Sequence, residues 1–130
     1  MKRKSQSIKT IINFVEVNGT GTIRTTKGTL RDIFVFGYFK MFRWWFMVNQ
    51  DVHHKDYVIV SEASTGQRLT DYCYPDVESA INGTLQFIED KHYYFATSVG
   101  NQLVKYQCNL ERRNTTNLQT IAIDSLLWNL

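Results

Sequence analysis

Glycine-containing turn signals divide the chain into short runs that are rich in β-branched and aromatic residues. Asn18-Gly19, Lys27-Gly28, Thr65-Gly66 and Gly100-Asn101 each lie between two such runs. Glycine adopts the positive φ that tight turns need, and Asn-Gly is the strongest short hairpin signal. The pattern therefore predicts an α+β fold built on an antiparallel sheet of six to eight strands, open or partly closed into a barrel.

The predicted strands are the runs beside these turns, together with an aromatic run that is apolar on both faces. Residues 8–17 also fit a helix, because three isoleucines and a valine recur there at helical spacing, although β-branched content favours a strand. After residue 40 the predicted order is three strands, a helix and two strands, which is similar to the five-stranded OB barrel, a fold that often binds oligonucleotides. The predicted strands cover residues 14–17, 20–26, 29–36, 42–48, 57–63, 67–74, 93–99 and 102–108.

One amphipathic helix is predicted at about residues 76–90. Pro75 suits the first turn of a helix, and the carboxylates of Asp76 and Glu78 complement its positive N-terminal end. Gly83 lowers the stability of such a helix by about 1 kcal/mol relative to alanine. Four apolar residues at steps of three or four form one stripe: Val77, Ile81, Leu85 and Ile88.

The length of 130 residues fits one domain, residues 1–130. Residues 1–7 are expected to form a basic N-terminal tail, since Lys2-Arg3-Lys4 lies there. Residues 114–130 are expected to pack on the sheet or on a partner, where a C-terminal helix would suit a dimer seam or a partner's groove. Its apolar face would be Ile123, Leu126, Leu127 and Leu130.

Charge is distributed unevenly along the chain. Residues 1–49 hold nine Lys/Arg against two Asp/Glu, a balance of +7, whereas residues 50–130 hold six against ten, a balance of −4. A basic half attracts phosphates or an acidic protein surface, although a solvated face with a basic tail has the same composition.

No recognisable catalytic motif occurs, so no enzymatic activity and no cofactor are expected; an enzyme with an unrecognised site is the remaining alternative. Cys73 and Cys108 form no CxxC pair, and each is expected to be a small buried thiol. Adjacent His53 and His54 would point to opposite faces of a strand, so they are interpreted as part of a solvated loop with no metal.

No membrane span is expected, because the most apolar stretch, residues 33–48, has sixteen residues and two charges, whereas a spanning helix needs about 20 apolar residues. A signal peptide is not expected either, since Asn13 and Glu16 interrupt the early apolar run. The expected location is therefore cytoplasmic.

The best functional lead is the segment 38–46, in which rings alternate with positive charges. Aromatic faces stack on bases and Lys/Arg contact phosphates in single-strand binders, but rings also form the core of most domains of this size. We expect an exposed aromatic patch that contains Trp44 or Trp45, is edged by Lys40 or Arg43, and serves as the binding or self-association surface. The predicted binding residues are Lys40, Arg43, Trp44, Trp45, Arg24, Lys27 and Arg31.

These features predict a non-catalytic protein-interaction module, with a protein partner or self-association, including a dimer. The alternative is a nucleic-acid binder that uses the basic aromatic surface for single strands. A hairpin with a Thr-Gly turn followed by an amphipathic helix, over residues 57–88, resembles an arrangement widespread in small proteins of viruses and mobile elements. The resemblance names no family, so no family property is carried over from it. For the interaction module itself, a small inhibitor or accessory protein of viral or mobile-element type is expected.

Overall fold

The computed structural model describes residues 14–116 and residue 118. Four strands form one antiparallel sheet in the order of the chain, and one long helix follows them, so the fold is α+β. The prediction of six to eight strands is not confirmed, since the described residues form four. The basic tail 1–7 and the apolar face of the predicted C-terminal helix lie outside the described residues. The strands are β1 (Val15–Arg24), β2 (Leu30–Met41), β3 (Trp44–Gln50) and β4 (Val58–Glu62), and the helices are α1 (Val77–Tyr106) and α2 (Glu111–Asn114).

The first hairpin turns at Lys27-Gly28, as predicted, with Gly28 at φ 85°. Asn18-Gly19 is not a turn, so the prediction of two strands at 14–17 and 20–26 was wrong. Asn18 lies inside β1 at φ 51°, where the register against β2 shifts between Glu16 and Gly19. Asparagine tolerates this left-handed conformation, which also suits a β-bulge.

The aromatic run is interrupted by a two-residue turn at Phe42-Arg43, where Phe42 adopts φ 58°. This turn reverses the chain between β2 and β3, so a continuous strand 42–48 does not form. Lys40 pairs with Trp45 across the sheet. Lys40 therefore shares a face with Trp45, whereas an uninterrupted strand would have placed it with Trp44.

The Thr65-Gly66 turn is present, with Gly66 at φ 70°, but the strand predicted at 67–74 was wrong. That segment follows β4 through two isolated bridges, Ser61 with Arg68 and Val58 with Tyr74. Irregular backbone between them breaks the ladder.

Helix α1 is twice as long as predicted, because it continues through the two strands expected at 93–99 and 102–108. The main chain departs from helical geometry at Lys91 and then resumes. Phe95 and Val99 extend the buried stripe of Ile81 and Ile88, so burial against the sheet outweighs the turn signal at Gly100-Asn101. The similarity to the OB order is lost with these two strands.

Each face of the sheet carries a buried cluster. Helix α1 covers one face, whose core includes Phe39, Phe46 and Val60. The other face carries a second cluster of Ile23, Val35, Tyr38, Met47 and Ala63. We call this face concave, because residues from the first strand and from just after the last one meet in its cluster.

Hydrogen bonds join the end of β1 to the turn after β4, so the sheet curls. The amide of Arg24 donates to the Gly66 carbonyl over 2.7 Å. Asn114, fully buried in α2, accepts from the amide of Thr22 at 2.7 Å and donates to the carbonyls of Thr22 (3.0 Å) and Ala63 (2.8 Å). A side chain at residue 66 would meet the main chain of β1 at 3.0–3.1 Å, which favours glycine there.

Candidate functional site

The seven residues predicted to bind a partner do not form one surface. Arg24, Lys27 and Arg31 lie at the first hairpin, where β2 begins, whereas Lys40, Arg43 and both tryptophans lie where β2 ends and β3 begins. The first group lines one cavity, whereas Arg43 and Trp44 of the second group line another. They therefore constitute two candidate sites at opposite ends of β2.

The aromatic turn, defined as Phe42, Arg43, His92 and Tyr93, is the first site. Phe42 is 64% exposed and Tyr93 is 88% exposed, while the Phe42 and His92 rings lie 5.0 Å apart between centroids. Trp44 supports this cluster from below and is only 8% exposed, with the Arg43 guanidinium 5.5 Å from its ring. An exposed aromatic patch edged by Arg43 thus exists, but its outer rings are those of phenylalanine and tyrosine.

Lys40 and Trp45 form a smaller surface on the concave face of the sheet. The Lys40 ammonium lies 5.7 Å from the Trp45 ring, and the indole is half-buried against the second core cluster. Because Trp44 and Trp45 are adjacent in β3 and point to opposite faces of the sheet, this pair does not extend the aromatic turn.

The basic groove is the second site, and it consists of two cavities that meet at Arg24 and Arg68. One cavity, of about 460 Å³, lies at the mouth of the concave face, where Ile23 and Ile59 line it beneath a basic rim. The other, of about 610 Å³, lies between α1 and the segment after β4. Both cavities share Arg24, Thr25, Thr26 and Arg68, and the first adds Lys27, Arg31 and His53.

Both arginines at the junction are held in place by the fold. Arg24 donates from Nη1 to the Gly28 carbonyl over 2.8 Å, and its guanidinium lies 3.8 Å from the centre of the Tyr106 ring. Arg68 donates from Nε to the carbonyl of Thr70 and from Nη2 to those of Asp71 and Tyr72. These are contacts with uncharged groups, so they fix the side chains without neutralising them.

Among the described residues that line the groove, cationic side chains outnumber carboxylates and form no ion pair with them. In the part of the chain that the structure describes, the one ion pair joins Arg113 to Asp32 over 3.9 Å, and none involves Arg24, Lys27, Arg31 or Arg68. Two carboxylates line the cavities, Asp51 and Asp71, and Asp51 is 3% exposed with its Oδ1 accepting from the amide of His53. Cationic side chains therefore dominate the accessible rim.

Sequence reasoning missed the rings of the groove. Tyr72 and Tyr94 are 71% and 67% exposed, and both line the second cavity beside half-buried Phe87. The sequence prediction places Tyr94 in a strand, although the spacing of Ile88, Phe95 and Val99 continues the helical stripe and indicates that Tyr94 lies on α1. Nothing local marks Tyr72 as part of a site.

Among residues 14–116 and 118, no group of three or more potential metal ligands occurs, and His53 and His54 lie in an exposed loop. Both thiols are free; Cys73 is exposed and Cys108 half-buried, whereas burial was predicted for both. No helix in this part of the chain is long and apolar enough to cross a membrane.

Comparison with protein-family models, with curated proteins and with solved structures gives no match to this chain.

Proposed function

We propose that this protein is a non-catalytic interaction module that binds a protein partner through the aromatic turn. The observation that carries the proposal is the state of Phe42, a bulky ring that is 64% exposed and held at φ 58°. An L-residue other than glycine or asparagine loses about 1–2 kcal/mol in this left-handed region. The two-residue turn itself requires this positive φ, which glycine or asparagine would adopt at lower cost. An exposed ring returns little of that difference to the fold, so contact with a partner explains a phenylalanine here better than stability does.

The composition of the aromatic turn suits a protein interface. Tyrosine and arginine are enriched among the residues that dominate binding energy, and phenylalanine is enriched in interface cores. The His92 ring contacts those of Phe42 and Tyr93 in edge-to-face geometry, and Phe42 also contacts Trp44 in this way. Arg43 is exposed beside them and forms no ion pair with a described residue. The expected partner therefore has an apolar pocket with acidic residues at its rim.

A module of this kind acts by occupying a surface of its target, which is how an inhibitor or accessory protein works. No bond needs to be made or broken, so the proposal requires no nucleophile, metal or cofactor.

The test uses Phe42→Asn, which removes the ring and suits a left-handed φ. Immobilised wild-type protein and its variants are incubated with nuclease-treated host lysate at two salt concentrations, and the bound proteins are compared. We expect partners that the wild type retains to be lost with Phe42→Asn and with Tyr93→Ala. Tyr94→Ala is the matched control, because Tyr94 is the adjacent exposed tyrosine but does not belong to the aromatic turn.

A stability measurement separates lost binding from lost folding. Phe42→Asn is expected to unfold at the same denaturant concentration as the wild type or a higher one. Sedimentation analysis tests whether the partner is a second copy, in which case a concentration-dependent dimer disappears in the variant. Capture that is unchanged by Phe42→Asn, or that is lost on nuclease treatment, contradicts the proposal.

A further inference from the structure

We infer that single-stranded nucleic acid binds in the basic groove, a function separate from the aromatic turn. The groove is elongated, because its two cavities of about 460 and 610 Å³ share the lining residues Arg24, Thr25, Thr26 and Arg68. A single small ligand fills one cavity of about 300–1,000 Å³. A chain-like ligand instead passes from one cavity to the other and contacts both guanidinium groups at the junction.

The charge of the groove matches a phosphate backbone. Arg24, Lys27, Arg31 and Arg68 lie along it without a carboxylate partner among the described residues. Thr25 and Thr26 add hydroxyl groups at the junction, and hydroxyls commonly donate to phosphate oxygens. An anionic chain therefore finds cations and neutral donors on one continuous surface.

The exposed rings distinguish nucleic acid from an acidic protein segment. Tyr72 and Tyr94 line the cavity that contains Arg24 and Arg68. They are 71% and 67% exposed to solvent, respectively. Ring faces beside cations are the arrangement that stacks successive bases of a single strand. An acidic peptide would use the same charges but has no repeating flat groups to stack on these rings.

The rings also favour single strands over a duplex. In a duplex each base is stacked between its neighbours, so its face is not available to a tyrosine on the protein surface. The cations of the first hairpin suit the phosphates of either form, whereas the exposed Tyr72 and Tyr94 rings add binding energy only where bases are unstacked. The preferred ligand is therefore an unpaired strand.

The first experiment measures binding of fluorescently labelled oligo(dT) and oligo(U), each about 12 nucleotides long, by anisotropy with the full chain. If the four cations each neutralise one phosphate, log K falls with log[salt] with a slope of about −3, since single strands give about −0.7 per phosphate. Lys27→Glu is expected to weaken binding and to make this slope shallower. Lys91→Glu, the same charge change at an exposed residue outside the groove, is the matched control.

The second experiment tests stacking with adjacent tyrosines. Tyr94→Ala is expected to weaken oligonucleotide binding roughly tenfold or more, as loss of one stacked base does. Tyr93→Ala is expected to leave it unchanged, because Tyr93 belongs to the aromatic turn and does not line either cavity of the groove. Circular dichroism establishes that both variants fold.

The outcomes separate this inference from the protein-binding proposal. Phe42→Asn should bind oligonucleotides as the wild type does, whatever it does to protein capture. The inference is overturned if no oligonucleotide binds, if duplex binds as tightly as single strand, or if the two tyrosine variants lose equal affinity. Displacement by polyglutamate as effective as by unlabelled oligonucleotide would overturn it in favour of an acidic protein segment.

Discussion

Two glycines lie inside helix α1, and the structure predicts that replacing them with alanine has opposite effects. A Cβ at residue 83 would lie 2.6 Å from Cζ and 2.7 Å from Cε1 of the Tyr74 ring, which is closer than such atoms can approach. A Cβ at residue 100 would have no atom within 4 Å. Gly100→Ala should therefore stabilise the protein, whereas Gly83→Ala should not.

The magnitudes follow from helix propensity and from packing. Alanine is about 1 kcal/mol more favourable than glycine in a helix interior, so Gly100→Ala should raise the free energy of unfolding by about that amount. Gly83→Ala gains the same term but displaces the Tyr74 ring, and overpacking of this kind costs about 1–3 kcal/mol. The main chain of Tyr74 cannot easily follow, because two hydrogen bonds of 2.8 Å hold it to Val58. The net change is a loss of up to about 2 kcal/mol.

Urea unfolding followed by far-UV circular dichroism measures both changes, with an unchanged m-value as the condition for comparing midpoints. Tyr74→Ala and the double variant Tyr74→Ala/Gly83→Ala complete a double-mutant cycle with the wild type and Gly83→Ala. In a Tyr74→Ala background the ring is absent, so Gly83→Ala should become stabilising by about 1 kcal/mol.

The reasoning is refuted if Gly83→Ala stabilises the wild-type protein as much as Gly100→Ala does. It is also refuted if the effect of Gly83→Ala is the same with and without the Tyr74 ring, because the close contact would then have no energetic consequence. A destabilising Gly100→Ala would show that the outer face of α1 is covered in solution.

Two further predictions concern the concave face and the tryptophans. Asn114→Ala should lower the free energy of unfolding by about 2–4 kcal/mol in urea titrations, because it leaves buried main-chain groups of β1 and of the turn after β4 without partners. The control Asn109→Ala removes one exposed hydrogen bond and should lower the free energy of unfolding by about 1 kcal/mol or less. Equal losses in the two variants would contradict the role of Asn114 in joining β1 to the turn after β4. With Trp128 replaced by phenylalanine, acrylamide should quench Trp45 more strongly than Trp44, since Trp45 is half-buried and Trp44 is 8% exposed, and the reverse order would place the wrong indole at the surface.

The sequence predicted those elements whose signals are local. The turns at Lys27-Gly28 and Thr65-Gly66 and the start of α1 at Asp76 follow from residue chemistry within a few positions, and the Asp76 carboxylate accepts from the amide of Ser79 as a helix cap does. The same signals failed where long-range burial opposed them. Asn18-Gly19 became a bulge within β1 and Gly100-Asn101 became part of a helix.

The candidate sites divide in the same way. Composition and charge alone indicated a basic, aromatic protein and identified Arg24, Lys27 and Arg31 as a group, because these residues are close in the chain. Only the curl of the sheet brought Arg68 beside Arg24, and only the length of α1 brought Tyr94 to the same groove. Local sequence determines φ preferences, caps and charge, whereas pairing of distant segments depends on which apolar faces can be buried together. That burial is a property of the whole chain, so the tertiary structure decided which rings became core and which remained exposed.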